Sequence, residues 1–233
     1  MNFEMFEQEL KNLNIEITEE QQKQLEDYYE LIVEYNKVMN LTGITDYEEV
    51  YLKHFYDSLT IVRVIDLEEQ ASLCDMGTGA GLPGIVLKIV FPKLKVTLVD
   101  SLNKRIEFLK IVIGKLQLEG IEAIHGRIEE YGINNRERFD VVTARAVAAT
   151  NVLLEFAAPL VNVGKYFIAM KGNISETEKY DTALVALGFS LEKEERFILP
   201  IENSHRTLLK FKKKIKTSLR YPRPFAEIKK KPL

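Results

Sequence analysis

A glycine-rich segment, DMGTGAGLPG at residues 75–84, directly follows a short run of strand-forming residues. Glycines at the end of a buried strand allow the chain to turn sharply and to approach a ligand closely, because a Cβ would collide. From this segment onward, strand patterns alternate with helix patterns. The alternation predicts an α/β fold with a mostly parallel sheet, helices on both faces, and ligands bound beyond the carboxyl ends of the strands.

Seven segments carry the strand pattern, namely residues 71–74, 95–100, 122–125, 139–143, 165–170, 189–199 and 206–213. The last two are separated by only six residues around Pro200, which favours an antiparallel pair that closes the sheet. Residues 1–70 carry helix patterns instead, including a capping box at Thr18 and Gln21. A second capping box, at Ser175 and Glu178, precedes a predicted helix at residues 180–187.

Composition limits the classes of protein to consider. No stretch approaches the ~18 consecutive apolar residues of a membrane span, and the acidic start MNFEMFEQEL does not resemble a signal peptide. Cys74 is the only cysteine, so neither an intramolecular disulfide nor a multi-cysteine metal site is expected. These features predict a cytosolic enzyme without a metal.

The net charge of −3 conceals an uneven distribution of charge. Residues 205–233 contain 11 Lys and Arg against one acid, so they carry +10 and leave −13 on the first 204 residues. An acidic body with a basic end indicates contact with a polyanion, although a solvated lysine-rich terminus has the same composition. We divide the chain into a helical extension (1–70), a catalytic domain (71–214) and a basic tail (215–233).

The glycine segment fits two cofactor patterns. From Gly79 it is the G-x-G-x-x-G of dinucleotide sites, whereas from Asp75 it is D-x-G-x-G-x-G. An acid at the entrance would repel a pyrophosphate, but it could accept from a ligand ammonium or hold the amides of the loop. Asp100 ends the second strand and could accept from ribose hydroxyls, and residues 126–129 could meet an adenine edge. Together these residues favour S-adenosylmethionine over NAD.

Two features that the sequence lacks limit the possible classes of methyl acceptor. Methylation of a pyrimidine at carbon 5 needs a nucleophilic cysteine, but Cys74 lies within the first strand and is expected to pack there. The fourth strand leads into TARA rather than into the Asn/Asp-Pro-Pro-aromatic loop common in methylation of exocyclic amines. An acceptor that is nucleophilic without losing a proton, such as a purine N7, remains. Transfer to such an atom depends on alignment and electrostatics rather than on a strong base.

At this level of detail the chain resembles the bacterial small-subunit rRNA guanine-N7 methyltransferases, also called glucose-inhibited division protein B. The matching segments are YNKVMNLTGI (35–44), KHFYDSL (53–59), DMGTGAGLPGIVLKI (75–89), LVDSLNKRIEFL (98–109), GRIEE (126–130), FDVVTARAVA (139–148), MKG (170–172), HRTLLKF (205–211) and YPR (221–223). In the tail, Ala226 and Ile228 stand near places where the family usually has Gly and Pro.

The resemblance implies a Rossmann-like class I methyltransferase: a seven-stranded, mostly parallel sheet with an antiparallel last strand, plus an N-terminal helical extension. It implies S-adenosylmethionine as methyl donor and, as substrate, a guanine in the 530 loop of 16S rRNA, within the small ribosomal subunit or its precursor. The expected cofactor-binding residues, from residue types and motif matches together, are Asp75, Gly77, Gly79, Leu82, Asp100, Ile128, Glu129 and Arg145.

Basic residues supply the remaining candidates. Arg145, Lys171 and Arg206 are expected to position cofactor or RNA, because guanidinium and ammonium groups suit carboxylates and phosphates. The expected RNA contacts are Arg206, Lys212, Lys213, Lys214, Arg220 and Arg223, in a protein that acts as a monomer. Two alternatives stay open: a ribosome assembly factor that binds the cofactor without catalysis, and an NAD-linked oxidoreductase that uses the glycine loop.

Overall fold

The computed structural model of the protein describes residues 1–145, 148–174 and 179–233. The chain begins with α1 (Phe3–Asn12) and α2 (Glu19–Met39). The predicted capping box is confirmed: Gln21 N donates to Thr18 Oγ1 at 3.2 Å, and Thr18 N donates to Gln21 Oε1 at 2.9 Å. Asn40 ends α2 in the left-handed conformation, with φ of 50°.

Residues 47–63 form a helical stretch whose hydrogen-bonding pattern changes along its length. It consists of α3 (Tyr47–Val50), a π-helical turn (Tyr51–Tyr56), α4 (Asp57–Leu59) and a 3₁₀ turn (Thr60–Arg63). Asp46 caps the start of α3, since its Oδ1 accepts from Glu49 N at 3.1 Å. The wide π turn was not predicted, and it alters the direction of the side chains at 53–57 relative to a regular helix.

The predicted seven-stranded sheet is confirmed. Its strands are β1 (Ser72–Met76), β2 (Lys95–Asp100), β3 (Ile121–His125), β4 (Phe139–Arg145), β5 (Val161–Lys171), β6 (Phe189–Ile198) and β7 (His205–Lys213). Their order is β3-β2-β1-β4-β5-β7-β6. The pairs from β3 to β5 are parallel, whereas β7 lies antiparallel to both β5 and β6, as expected for a short connection around Pro200.

Six further helices lie beyond β1 in the described parts of the chain. They are α5 (Gly84–Val90), α6 (Asn103–Lys115), α7 (Ile128–Asn134), α8 (Thr150–Ala157), α9 (Asp181–Leu187) and α10 (Phe225–Lys230). The capping box predicted at Ser175 and Glu178 falls outside the described residues. None of the helices in the described ranges is long and apolar enough to cross a membrane.

Two hydrophobic cores lie on the opposite faces of the sheet. Leu73 and Val141 point into the core shared with the N-terminal helices, whereas their neighbours Cys74 and Val142 point into the core shared with α8 and the C-terminal segment. This alternation follows from the period of two in a strand. Burial raises the pKa of the Cys74 thiol, so its predicted packing role is confirmed.

The order of the strands places the functional edge. From β1 the chain crosses first toward β2 and β3, then returns to the other side at β4. A sheet of this kind opens a crevice at the carboxyl ends of the two strands where the direction of winding reverses. Here those strands are β1, which leads into the glycine loop, and β4, which ends at Arg145.

Candidate active site

The glycine loop rests on the buried carboxylate of Asp75. Its Oδ2 accepts from Thr78 Oγ1 at 2.6 Å and from Gly84 N at 2.9 Å, while Oδ1 has no hydrogen-bond partner within the described structure. Burial raises the pKa of Asp75 to about 6, although both hydrogen bonds act in the opposite direction. Asp75 is fully buried under the loop and does not line the cleft. Of its two predicted roles, the structure shows the one of holding the loop.

Two glycines of the loop leave no room for a side chain. A Cβ at Gly84 would lie 2.2 Å from Leu98 Cδ2 and 2.9 Å from Asp75 Oδ2, so only glycine lets α5 begin this close to the sheet. Gly81 has φ of +102°, and a Cβ there would lie 2.9 Å from the hydroxyl of Tyr28. That hydroxyl donates to Ala80 O at 2.7 Å, so helix α2 of the N-terminal extension is hydrogen-bonded directly to the glycine loop.

A central cleft of about 410 Å³ opens above the loop. Gly77, Gly79 and Leu82 form part of its wall, as predicted from the motif. Asp100 lies at one end and is almost fully buried. Its Oδ2 accepts from Gly79 N at 2.9 Å and from Arg105 Nη1 at 3.1 Å, and its Oδ1 accepts from Leu102 N at 2.9 Å. Asp100 thus joins the glycine loop to the end of β2.

Beyond Asp100 the cleft continues into an apolar slot of about 180 Å³. The predicted residues Ile128 and Glu129 both line this slot, at the start of α7. The rest of its wall is mainly apolar and aromatic: Met76, Val99, Leu153, Phe156 and Phe225. Gly77, Asp100 and Ser101 line both the central cleft and the slot, so the two are continuous.

On its other side the central cleft meets a cationic cavity of about 380 Å³. Its charged lining consists of Lys53, Asp57, Arg145, Lys171 and Arg206. Asp57 lies between two guanidinium groups: Arg206 Nε donates to its Oδ1 at 3.0 Å, and Arg145 Nη1 lies 3.6 Å from its Oδ2. The partner of Arg145 is therefore Asp57, not Asp75 or Glu129. Arg145 also donates to Lys53 O at 3.2 Å.

His54 lines both the central cleft and the cationic cavity. Its Nε2 lies 2.9 Å from Thr42 Oγ1, whereas its buried Nδ1 has no hydrogen-bond partner within the described structure. Burial, followed by the nearby charge of Arg145, lowers the pKa of His54 to about 4. The imidazole is therefore neutral at neutral pH. Slot, cleft and cavity form one continuous series along the carboxyl edge of the sheet.

A sequence profile described as "rRNA small subunit methyltransferase G" matches residues 21–203. The chain belongs to that family. It is 46% identical over 238 residues to the ribosomal RNA small subunit methyltransferase G of Staphylococcus carnosus, covering 100% of this chain and 99% of the relative. It is 48% identical to that of Exiguobacterium sibiricum, over 100% of both chains. Membership of the methyltransferase G family confirms the predicted resemblance and decides against the oxidoreductase alternative.

Solved structures share the fold at much lower identity. A SAM-dependent methyltransferase from Aquifex aeolicus superposes with a TM-score of 0.53 at 16% identity, over 71% of this chain and 93% of that one. The TYW2 protein of M. jannaschii, solved in complex with AdoMet, superposes with a TM-score of 0.52 at 16% identity, over 64% of this chain and 71% of that one. These likenesses confirm the class I methyltransferase fold expected of a methyltransferase G.

Two of the basic residues predicted to contact RNA are engaged inside the protein. Lys213 is fully buried, where its Nζ donates to Ala158 O and to Val161 O, and burial lowers its pKa to about 8. Arg223 is held by the buried Glu155, with Nη2 to Oε2 at 2.6 Å and Nε to Oε1 at 2.8 Å. The prediction of RNA contacts is wrong for Lys213, and Arg223 is committed to an internal ion pair.

The other predicted basic residues differ in accessibility. Lys214 and Arg220 are exposed, and Lys212 is half-buried beside Glu192 and Tyr166. Lys171 lines the cationic cavity and donates to Ala148 O at 2.8 Å. Arg206 lines the same cavity, so Arg145, Lys171 and Arg206 meet there although they come from three different strands.

Several residues of the site were not predicted. Lys53 lies within the π-helical turn of the extension, and Asp57 directly follows that turn. Phe225 lies in a segment that was expected to be only a basic tail. His54 was not among the predicted site residues, yet it lines two cavities in addition to its contact with Thr42. The signal for Lys53 and Asp57 was present in the matching segment KHFYDSL, which carried the resemblance without any assigned role.

Proposed function

We propose that this protein transfers a methyl group from S-adenosylmethionine to N7 of a guanine in the 530 loop of 16S ribosomal RNA. The observation that carries the proposal is the continuity of the three cavities. The apolar slot and the central cleft form an elongated site, and its far end opens at Arg145 and His54 into the cationic cavity. A methyl donor bound in the apolar slot and the central cleft would present its methyl group to an acceptor base in the cationic cavity.

The residues around the slot and the cleft fit S-adenosylmethionine. The slot offers apolar and aromatic walls for the adenine, next to Ile128 and Glu129. Asp100 lines both the cleft and the slot, and its carboxylate can accept from ribose hydroxyls where Arg105 Nη1 now lies, at 3.1 and 3.5 Å from its two oxygens. Gly77, Gly79 and Leu82 let the backbone of the loop approach the cofactor closely, and the buried Asp75 places a negative charge beneath the loop. The guanidinium of Arg145 is suited to pair with the cofactor carboxylate.

The chemistry places few demands on acid–base groups. When bound, S-adenosylmethionine supplies a methyl group on a positively charged sulfur, and the C–S bond breaks as the N7 lone pair forms the new bond. N7 of guanine carries no proton, so no base has to remove one. His54, with a pKa of about 4, is neutral at neutral pH, and its ring forms part of the wall where the central cleft meets the cationic cavity.

The cationic cavity and the exposed basic residues would bind the RNA. Arg206 and Lys171 line the cavity, and Lys214 and Arg220 lie on the surface of the basic tail. In this proposal the protein acts on the RNA as a monomer. In this proposal residues 71–214 form the catalytic domain, and the extension 1–70 supports the loop and the cavity. An rRNA substrate is consistent with the cytoplasmic location that we propose.

The test is methylation of small-subunit particles, and of naked 16S rRNA, from a strain that lacks this activity. Labelled S-adenosylmethionine should yield one N7-methylguanine in the 530 loop, located by aniline-induced cleavage. Arg145→Lys keeps the charge but loses the planar fork, so we expect kcat/KM to fall by at least about tenfold. The control Arg196→Lys changes an exposed arginine on β6 and should have no effect. Absence of label from both substrates would refute catalysis and favour the assembly-factor alternative.

A further inference from the structure

The C-terminal segment of the chain is folded back onto the methyltransferase domain. Tyr221 and Ile228 are buried in the core that α8 shares with the sheet. Arg136 donates from Nη2 to Tyr221 O and from Nη1 to Thr217 O, the latter at 3.4 Å. Residues 221–230 are therefore an ordered part of the domain surface, although their composition predicted only a basic tail.

An ion pair fixes this segment next to the apolar slot. The carboxylate of Glu155 is completely buried and accepts from Arg223 N, Nε and Nη2 at 2.9, 2.8 and 2.6 Å. Glu155 is the neighbour of Phe156, which lines the slot. Because a buried charge requires its partner, the pair holds the segment at one position on α8.

From this position α10 brings Phe225 to the rim of the slot. The rings of Phe225 and Phe156 are nearly parallel, at 22° with centroids 6.3 Å apart, and the guanidinium of Arg127 lies 5.3 Å from the Phe225 centroid. Phe225 is nevertheless 41% exposed, and it lines the slot together with Ile128 and Glu129. A flat, apolar ligand in the slot would cover part of this ring.

We propose that Phe225 is a cofactor-binding residue, whose ring packs against the adenine base of S-adenosylmethionine. The inference rests on the proposed function and extends it, because it makes the segment 221–230 a wall of the cofactor site. An aromatic side chain is suited to this role, since each base presents an apolar π face to it. The basic residues that follow, Lys229 and Lys230, then lie on the same short helix as a residue that contacts the donor.

Calorimetric titration with S-adenosylhomocysteine and with adenosine tests the role of Phe225. Loss of the ring in Phe225→Ala should weaken both ligands by the same factor, about tenfold, because both carry the adenine. Phe225→Tyr should bind both almost as the wild type does. Leu219→Ala is the matched control, because Leu219 is an 85% exposed apolar residue of the same tail and does not line the slot.

Hydrogen exchange of the wild-type protein gives a readout that needs no variant. Amides of residues 221–230 should exchange more slowly when S-adenosylhomocysteine is added. Unchanged affinity in Phe225→Ala, or unchanged exchange in this segment, would overturn the inference while leaving the proposed function intact. Failure of the wild-type protein to bind S-adenosylhomocysteine at all would remove the proposed function as well, so the two failures are distinguishable.

Discussion

Arg206 on β7 donates its Nε to Oδ1 of Asp57 on α4 at 3.0 Å, across a sequence separation of 149 residues. The bond connects the N-terminal extension to the antiparallel end of the sheet, and the same carboxylate lies near Arg145. Asp57 is nearly buried, so its charge depends on these two partners. Within the cationic cavity, the Asp57 carboxylate therefore joins Arg145 and Arg206, which lie on two different strands.

A double-mutant cycle should measure this connection. Asp57→Ala leaves two guanidinium groups without their shared carboxylate, so we expect the free energy of unfolding to fall by about 2–4 kcal/mol. Arg206→Ala should cost less, because Arg145 remains beside Asp57. The two changes together should cost about 1 kcal/mol less than their sum in urea denaturation. The exposed pair Glu194 and Arg196 is the control, with an expected coupling below about 0.5 kcal/mol. Additive effects at Asp57 and Arg206 would contradict the connection.

The buried Asp75 should make stability depend on pH. Burial raises its pKa from 3.8 to about 6, so between these values the folded protein binds more protons than the unfolded chain. The contribution is fully present below pH 3.8 and is lost as the pH rises through 6, by up to about 3 kcal/mol. Asp75→Asn does not titrate, so its unfolding free energy relative to the wild type should rise between pH 4 and pH 7. A constant difference in urea denaturation across this range would rule out the raised pKa.

Gly84 should tolerate no larger residue. In Gly84→Ala the new methyl group would collide with Leu98 and Asp75, so we expect a loss of about 1–3 kcal/mol in stability and weaker binding of S-adenosylhomocysteine. Gly114→Ala is the matched control, because a Cβ there meets open space within helix α6. That control should be stabilised by about 0.5–1 kcal/mol through helix propensity. Thermal denaturation measures both, and equal effects would show that the contact at Gly84 is not limiting.

The exposed lysines of the tail should contribute to RNA binding through charge alone. Replacing Lys229, Lys230 and Lys231 by Gln should reduce the slope of log affinity against log salt by up to about 2, at roughly 0.7 per phosphate contact in single-stranded RNA. Binding of S-adenosylhomocysteine should stay the same, because these side chains do not line the slot. The control is a triple variant with Gln at Lys11, Lys93 and Lys95; Lys95 begins β2 and Lys93 precedes that strand, at the end of the sheet opposite the cofactor site. Equal slopes for both triple variants would exclude a specific role of the tail.

Local patterns were sufficient for most of the fold. The seven strands, the antiparallel pair around Pro200 and the capping box at Thr18 follow from neighbouring residues, and the structure confirms them. The π-helical turn at Tyr51–Tyr56 did not follow, because its residues carry an ordinary helical pattern and the wide turn depends on tertiary packing. Helix α10 was missed because lysines mask its single buried anchor, Ile228.

The sequence by itself determined the order of the elements, the glycine loop between β1 and α5, and membership of the methyltransferase family. These features depend on periodicity, turn chemistry and motifs that are local in the chain. Only the tertiary structure decided which charged side chains are accessible to a ligand, because burial and ion pairing depend on residues that are distant in the sequence. Lys213 is buried and donates to Val161 O of β5, and Arg223 is paired with the buried Glu155. For the same reason the sequence did not identify Asp57 and Phe225 as site residues. Tertiary packing brings the N-terminal extension and the C-terminal segment to the same edge of the sheet, where these two side chains line the site.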